Sequence, residues 1–533
     1  TMLNKRLILK STLIIAFATM LSKVLGLVRQ QYSIYLFGGG KEYDSFVAAF
    51  RIPNALRELL AEGALSAAFI PLFAAILVSR GKEEAFSFAN KVLNIALLIT
   101  IAVIILGSLT SGWFMGFYHY NPQFPDATEL ADSLFRIMLF YLPFISLSAL
   151  IMGMLNSMER FSIPALGPFF SNIAFLLALY FSYRALGIES LGYALIIGGF
   201  TYFAIQIPSL MKTGFRYRFS IGFKDKDIRE FFTLFIPFAL AMGIPKLNNI
   251  LSNIYSDEIT GANTALAQGF FIIQLPLSVF VAGISMVSLP NMAKLFEQDN
   301  LEELKSLALM GLRMVFFFTL PSAVGLMLLD YEIARLIYSD LLLLFSGGSP
   351  GRIDDLIVRN IASAQFYFAP GIIAMGLSII FIRSFQAMKD MKTMIYTGIL
   401  SVLLHLGLMT VFVSYLGWSF EGIALSITLS SFFNLILLII ILLLKVGSFA
   451  WGKTLLSMTR VLLGGLAMSL VIYSLRVFLK GVAIVGTPYW DNIISTMILI
   501  IAGSVTYIVS LYLLREEELT AVLSRLIRKL KKK

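Results

Sequence analysis

Across 533 residues there is no cysteine. That excludes disulfides and cysteine-ligated metal centres, and it removes the usual indicator of redox compartment. Histidine is nearly absent as well: His119 and His405 are the only two. Two imidazoles are too few for an all-protein zinc site, so each reads as a packed or interfacial side chain. Charge is scarce at 14% of the chain, against roughly 25% in a soluble domain. A charged, solvated exterior is therefore not available over most of this molecule.

What fills the space is apolar. Hydrophobic residues make up 58% of the chain, and the mean hydropathy is +0.85. A soluble core of this size cannot hide that excess, which predicts an integral membrane protein. The apolar runs are continuous and do not alternate over about ten residues, so helices are expected and not a barrel. Fourteen candidate spans are centred near residues 22, 62, 99, 144, 174, 200, 242, 276, 317, 371, 404, 432, 467 and 502. The first follows Lys5, Arg6 and Lys10. It resembles a signal peptide but is too long, lacks an A-x-A-type cleavage site, and reads as a retained span.

The net charge of +11 is read as basic loops on one membrane face, with no nucleic-acid partner. Lys41, Arg184, Arg335, Arg352 and Lys480 are the cations expected in loops of the opposite face. The remaining loop cations place both termini in the cytoplasm. The end of the chain, LLREEELTAVLSRLIRKLKKK, sets apolar residues at helical spacing above a basic run. It predicts an amphipathic helix on an anionic leaflet.

Two short matches point to an internal repeat. GMLNSMERFSIPA (153–165) resembles RSFQAMKDMKTMI (383–395), and GALSAAFIP (63–71) resembles GISMVSLP (283–290). Each pair lies about six helices apart. Duplication of a six-helix unit predicts two pseudo-symmetric lobes of like topology, with a substrate site between them near the midplane. The expected division is 1–222, 223–446, two further helices over 447–514, and a basic tail over 515–533.

Charges inside the spans are the functional signal, because they are costly in hydrocarbon and face the bundle interior or water. In the second span Arg51, Asn54, Glu58, Glu62 and Ser66 share one helical face, with Arg57 at its edge. In the first span Lys23 and Gln30 share a face, with Arg29 beside it. Arg57, Glu58 and Glu62 could simply neutralise one another, but the cations outnumber what pairing explains. Guanidinium and ammonium groups gathered in a cavity suit a phosphate-bearing ligand such as a pyrophosphate. Pro53, Gly63 and Pro71 would allow the second span to bend, or are static kinks. GSFAWGKT (447–454) satisfies G-x-x-x-x-G-K-[ST], but it follows a membrane helix and not a strand, so it is rejected as a nucleotide loop.

The segments SKVLGLVRQQ (22–31), YDSFVAAFRIPNALRELLAEGALSAAFIP (43–71), LNSMERFSIPA (155–165) and SFQAMKDMKT (384–393) resemble the MurJ lipid II flippase family of the multidrug/oligosaccharidyl-lipid/polysaccharide exporter superfamily. The resemblance runs through about the first 440 residues. It implies fourteen transmembrane helices, two six-helix lobes and two C-terminal helices that form a groove for a lipid tail. It implies a bacterial inner-membrane protein, read as a monomer and not an enzyme, that moves lipid II from the inner to the outer leaflet by alternating access. By motif match Lys23, Arg29 and Arg57 would bind the pyrophosphate, with Arg51 at a commonly basic position and Asp44 and Glu62 as functional carboxylates. Asn54 is added from the polar face.

The chain departs from the family pattern in three places. Gln30 stands where an acid is usual. AQGFFIIQLP (267–276) lacks a basic residue, and Gln274 stands where a glutamate is expected. Lys246 or Arg383 could supply the missing cation. The resemblance admits a sodium ion, for which Asp390 is the one matching carboxylate; no other cofactor is expected. Two rivals are an exporter of another lipid-linked oligosaccharide and a membrane glycosyltransferase. The latter would need an outer carboxylate base among Asp340, Asp354 and Asp355.

Overall fold

The computed structural model describes residues 21–59, 64–119, 125–160, 162–256, 261–345, 351–479 and 485–520. The basic N-terminal run, Glu62, Gly63 and the basic end of the tail lie outside the described residues. Among those described there is no β-strand, as the continuous apolar runs require. Close contacts divide the chain into two units, residues 1–260 and 261–533.

In the first unit α1 covers residues 21–37. It is followed by α2 (Lys41–Arg57), α3 (Ala64–Ser79), α4 (Lys82–Tyr118), α5 (Pro125–Leu139), α6 (Tyr141–Ser157), α7 (Ser162–Leu186), α8 (Glu189–Met211), α9 (Lys226–Gly243) and α10 (Leu247–Ser256). A 3-10 turn, Ile244–Lys246, separates the last two. Helix association in a bilayer depends on close packing and not on escape from water. Here α3, α4, α6 and α9 meet around Phe69, Phe73, Phe88, Met154 and Phe231. The Phe69 ring stacks on Phe73 and Phe88 at centroid distances of 5.4 and 5.7 Å. On α7, Gly167 faces Tyr202 so closely that an added Cβ would sit 2.1 Å from its ring. Glycine is what lets α7 and α8 approach.

In the second unit the helices are α11 (Ala262–Pro276), α12 (Ala282–Glu297), α13 (Leu301–Leu328), α14 (Asp330–Arg335), α15 (Leu341–Phe345), α16 (Asp355–Phe368), α17 (Gly371–Ala387), α18 (Met391–Met409), α19 (Phe420–Val446), α20 (Trp451–Leu479) and α21 (Pro488–Leu513). Gly376 admits Val315 and Thr319 of α13 against α17. The last helix is tied to α13 by Tyr507, whose hydroxyl donates to the Phe317 carbonyl at 2.7 Å. The match at 447–454 joins α19 to α20, two helices, and so lacks the strand that a phosphate-binding loop requires.

Ten helical stretches among the described residues are long and apolar enough to span a membrane. The α16–α17 pair, bent by 47°, makes an eleventh if counted as one. Its bend falls at Ala369–Pro370, where proline removes an N–H from the ladder. Three of the fourteen expected spans correspond to α1, α2–α3 and α9–α10. The first two border residues outside the described set, and α2 carries five charges; α9–α10 is broken at the 3-10 turn.

The proposed sequence repeat has a local structural counterpart. After α6, Glu159 has φ +60°, and Arg160 N donates to Leu155 O at 2.8 Å. After α17, Lys389 has φ +57°, and Asp390 N donates to Phe385 O at 2.9 Å. Both are Schellman closures, each at a non-glycine residue that pays a left-handed strain. They fall at aligned positions of the two sequence matches.

Candidate functional site

Within the first unit α1, α2, α6, α7 and α8 enclose a cavity of about 250 Å3. Its wall carries Arg29 from α1, Asn54 and Arg57 from α2, Tyr141 from α6, Ser171 and Asn172 from α7, and Tyr202 from α8. Phe50, Ile145 and Met152 supply apolar surface between them. Three of the residues predicted for ligand binding, Arg29, Asn54 and Arg57, are therefore brought to one space.

Each cation is held by its surroundings. The Arg29 guanidinium lies 5.0 Å from the centre of the Phe175 ring, an aromatic face that attracts a cation without consuming its N–H donors. α1 is joined to α7 by Asn172, which donates to the Ser22 carbonyl at 3.1 Å. Arg57 Nε donates to Asn54 Oδ1 at 3.0 Å. Asn54 in turn donates to Glu58 Oε1 at 3.0 Å, and Arg57 Nη2 lies 3.7 Å from the same oxygen. Lys246, from the break between α9 and α10, completes the group by an ion pair with Glu58. The i, i+3 and i, i+4 spacing of Asn54, Arg57 and Glu58 is what brings them together on a helix surface.

The other expected residues lie elsewhere. Lys23 and Arg51 are each six residues from the arginine they were grouped with, about 9 Å along a helix axis, and neither lines the cavity. Asp44 is buried in the first turn of α2, about 20 Å along the helix from Arg57. Arg383 lies in the second unit, donating to Ser285 Oγ and Gln386 Oε1, both at 2.7 Å. Lys246, in the first unit, adjoins the Arg57 group.

Asp390 is occupied as a helix cap. It accepts from the Thr393 backbone N–H at 3.2 Å and the Thr393 hydroxyl at 2.6 Å, and it pairs with Lys445. Lys445 and the cap hold this carboxylate below the usual range against the opposing effect of burial, which is the largest single influence. An ammonium group bound to the same oxygen does not fit a sodium ion there. Among the described residues no three His, Cys, Asp or Glu side chains gather as a metal site.

The acids weighed as a glycosyltransferase base are likewise engaged. Asp340 is buried between Arg335 and Asn492. Asp354 caps α16 through Ile357 N at 2.8 Å, and Asp355 pairs with Arg359 at 2.6 Å.

Sequence reasoning did not identify Tyr141, Ser171, Asn172 or Tyr202 as cavity residues. Asn172 carried a legible signal, an amide in an otherwise apolar span. The tyrosines and serine did not, since such residues are common throughout these helices.

Comparison with known proteins agrees with this architecture. The family model for the lipid II flippase MurJ matches residues 34–491. A protein of Rhizobium meliloti described as a probable lipid II flippase MurJ is 30% identical over 460 residues, covering 83% of this chain and 82% of the relative. The lipid II flippase MurJ of Burkholderia cenocepacia is 27% identical over 442 residues, covering 80% and 82%. Among solved structures, a lipid II flippase MurJ in an inward closed conformation aligns with a TM-score of 0.75 at 24% identity, over 93% of this chain and 98% of that one. An inward-facing multidrug resistance transporter of the MATE family aligns with a TM-score of 0.67 at 15% identity, over 79% and 94%.

Proposed function

The chain belongs to the lipid II flippase MurJ family, and from that premise we propose that it carries lipid II from the inner to the outer leaflet, with the pyrophosphate received by Arg29 and Arg57. The observation that supports this assignment is the convergence of two guanidinium groups, from different helices, on one cavity. A diphosphate–saccharide headgroup cannot cross hydrocarbon unaided, because desolvating its charges is prohibitive. The polyprenyl tail faces no such barrier. The protein therefore needs to shelter only the headgroup, and planar guanidinium forks match phosphate oxygens in charge and geometry.

Transport follows if the cavity is exposed to each leaflet in turn. The cations hold the headgroup while access changes, and release follows on the far side. Asn54 keeps Arg57 oriented, and Phe175 does the same for Arg29. Lys23 and Arg51 lie outside the cavity and would act on approach of the headgroup, not in its bound position. No group-transfer chemistry is required, so the reading is of a transporter and not an enzyme. The multi-pass chain would lie in the bacterial inner membrane as a monomer, with both termini in the cytoplasm.

The test is complementation. A strain depleted of its own flippase expresses this chain, and lipid II exposed on the outer leaflet is measured. Exposure is expected with the wild type and is lost in an Arg29→Ala/Arg57→Ala variant present at equal membrane abundance. Absence of exposure with the wild type overturns the assignment. Export of a different polyprenyl-diphosphate saccharide in its place would redirect it to that lipid.

A further inference from the structure

One carboxylate in the first unit serves two cations. Glu58 directly follows α2, lies 3.7 Å from Arg57 Nη2 and pairs with Lys246. Arg57 and Asn54 line the cavity, whereas Glu58 and Lys246 do not. The carboxylate therefore adjoins the lining without belonging to it, and stays partly exposed. Lys246 comes from an interrupted helical run. The chain passes from α2 into a π turn at 58–59, and Lys246 ends the 3-10 turn between α9 and α10.

We propose that Glu58 is a resident counter-ion of Arg57 and Lys246 with which the ligand's diphosphate competes. It is then a positioning residue that sets how tightly the headgroup is held and allows it to leave. This rests on the lipid II reading above. Two cations drawn to one carboxylate repel one another, and the carboxylate between them relieves that repulsion. A diphosphate entering the cavity offers Arg57 a better-matched, more highly charged partner. Glu58 then keeps Lys246, while its own negative charge opposes the diphosphate. The bound state is thereby kept from becoming so stable that release limits turnover.

The proposal predicts opposite signs at the two ends of one ion pair. Glu58→Gln removes the competing charge and tightens binding of lipid II to the purified full-length chain in nanodiscs by about tenfold. Lys246→Met leaves Glu58 to Arg57 alone and weakens binding by about tenfold. The double variant restores the net charge of the group and binds within about threefold of wild type. Outer-leaflet exposure of lipid II falls in Glu58→Gln because release slows, so binding and transport move in opposite directions.

A pair that merely staples two helices would give weaker binding in both single variants, and that result overturns the proposal. If Glu58→Gln does not fold, the double variant is compared with Lys246→Met. It must bind more tightly, and equal or weaker binding also overturns the proposal. If the wild-type chain does not bind lipid II at all, the flippase reading itself falls, an outcome distinct from wild-type binding with same-sign variants.

Discussion

The Arg29 guanidinium stands 5.0 Å over the Phe175 ring, so that a charge in a membrane helix is stabilised by an aromatic face while its N–H donors remain available to the cavity. Stacking of this kind belongs to a planar cation, and lysine cannot reproduce it together with a two-pronged phosphate contact. Arg29→Lys is therefore expected to keep the net charge but weaken lipid II binding by about tenfold, the loss of one charge-assisted contact. Phe175→Leu retains the apolar bulk and removes the ring. It should weaken binding only a few-fold, in line with about 0.5–1 kcal/mol for a cation–π contact. Binding isotherms on the two variants check this order. Equal losses would show that the ring, and not the guanidinium fork, is what matters at this position.

Arg57 depends on a relay from its own helix. Its Nε donates to Asn54 Oδ1, and Asn54 donates onward to Glu58. Asn54→Ala removes that relay without changing charge. The side chain of Arg57 then samples other rotamers, and lipid II binding should fall by about tenfold, as for loss of a hydrogen bond to a charged group. Asn54→Asp preserves an acceptor for Nε but adds a negative charge at the cavity wall. It is expected to weaken binding more than alanine does, and the comparison is made in one binding assay at fixed salt.

Much of this architecture is legible in the chain, because a membrane helix announces itself by length and hydropathy. Thirteen of the fourteen predicted centres fall in a described helix, and the one near residue 62 lies outside the described residues. The breaks are harder to read. Ile244–Lys246 interrupts a long apolar run, marked locally only by Gly243, Pro245 and the polar residues just after it. The polar face of the second span was also readable, but a helical wheel specifies direction and not depth. Arg51 and Asn54 belong to the same stripe by angle, yet only Asn54 reaches the cavity. The Glu58–Lys246 pair was beyond such reasoning, since nothing within either segment sets which helices become neighbours. Gly167 against Tyr202 is a similar case: the glycine is visible, and its ring partner on another helix is not.

Outside the spans, Asp225 makes acid sensitivity testable. It pairs with Lys91 and caps α9 by accepting from Asp227 N at 3.0 Å. The hydrogen bond from Lys91 is the main reason its carboxyl is held below the usual range. A depressed folded-state pKa contributes stability that is present above the unfolded value, about 3.9, and is lost as pH falls through the folded one. Asp225→Asn keeps an acceptor for the cap but loses the ion pair. Its thermal stability should fall below wild type at neutral pH and converge with it under strong acid. Asp225→Ala loses the cap as well, a further cost of about 1 kcal/mol. Thermal unfolding of the three proteins between neutral and acid pH tests the convergence.

Glu516, just beyond α21, presents the opposite sign. Its side chain is fully buried; it accepts from the Ser457 hydroxyl, and Arg460 Nη1 lies 3.8 Å away. Burial is the dominant influence and pushes its carboxyl above the usual range, although Ser457 and Arg460 oppose it. The folded state then binds a proton that the unfolded state has released, so stability declines as pH rises from the unfolded value through the folded one. Glu516→Gln removes that titration while retaining an acceptor for Ser457. The variant should be as stable as wild type, or more so, at neutral pH, and should lack the loss of stability across that window. Thermal unfolding as a function of pH decides it. A variant that is less stable at neutral pH would show instead that the charge itself, through Arg460, holds the segment after α21 against α20.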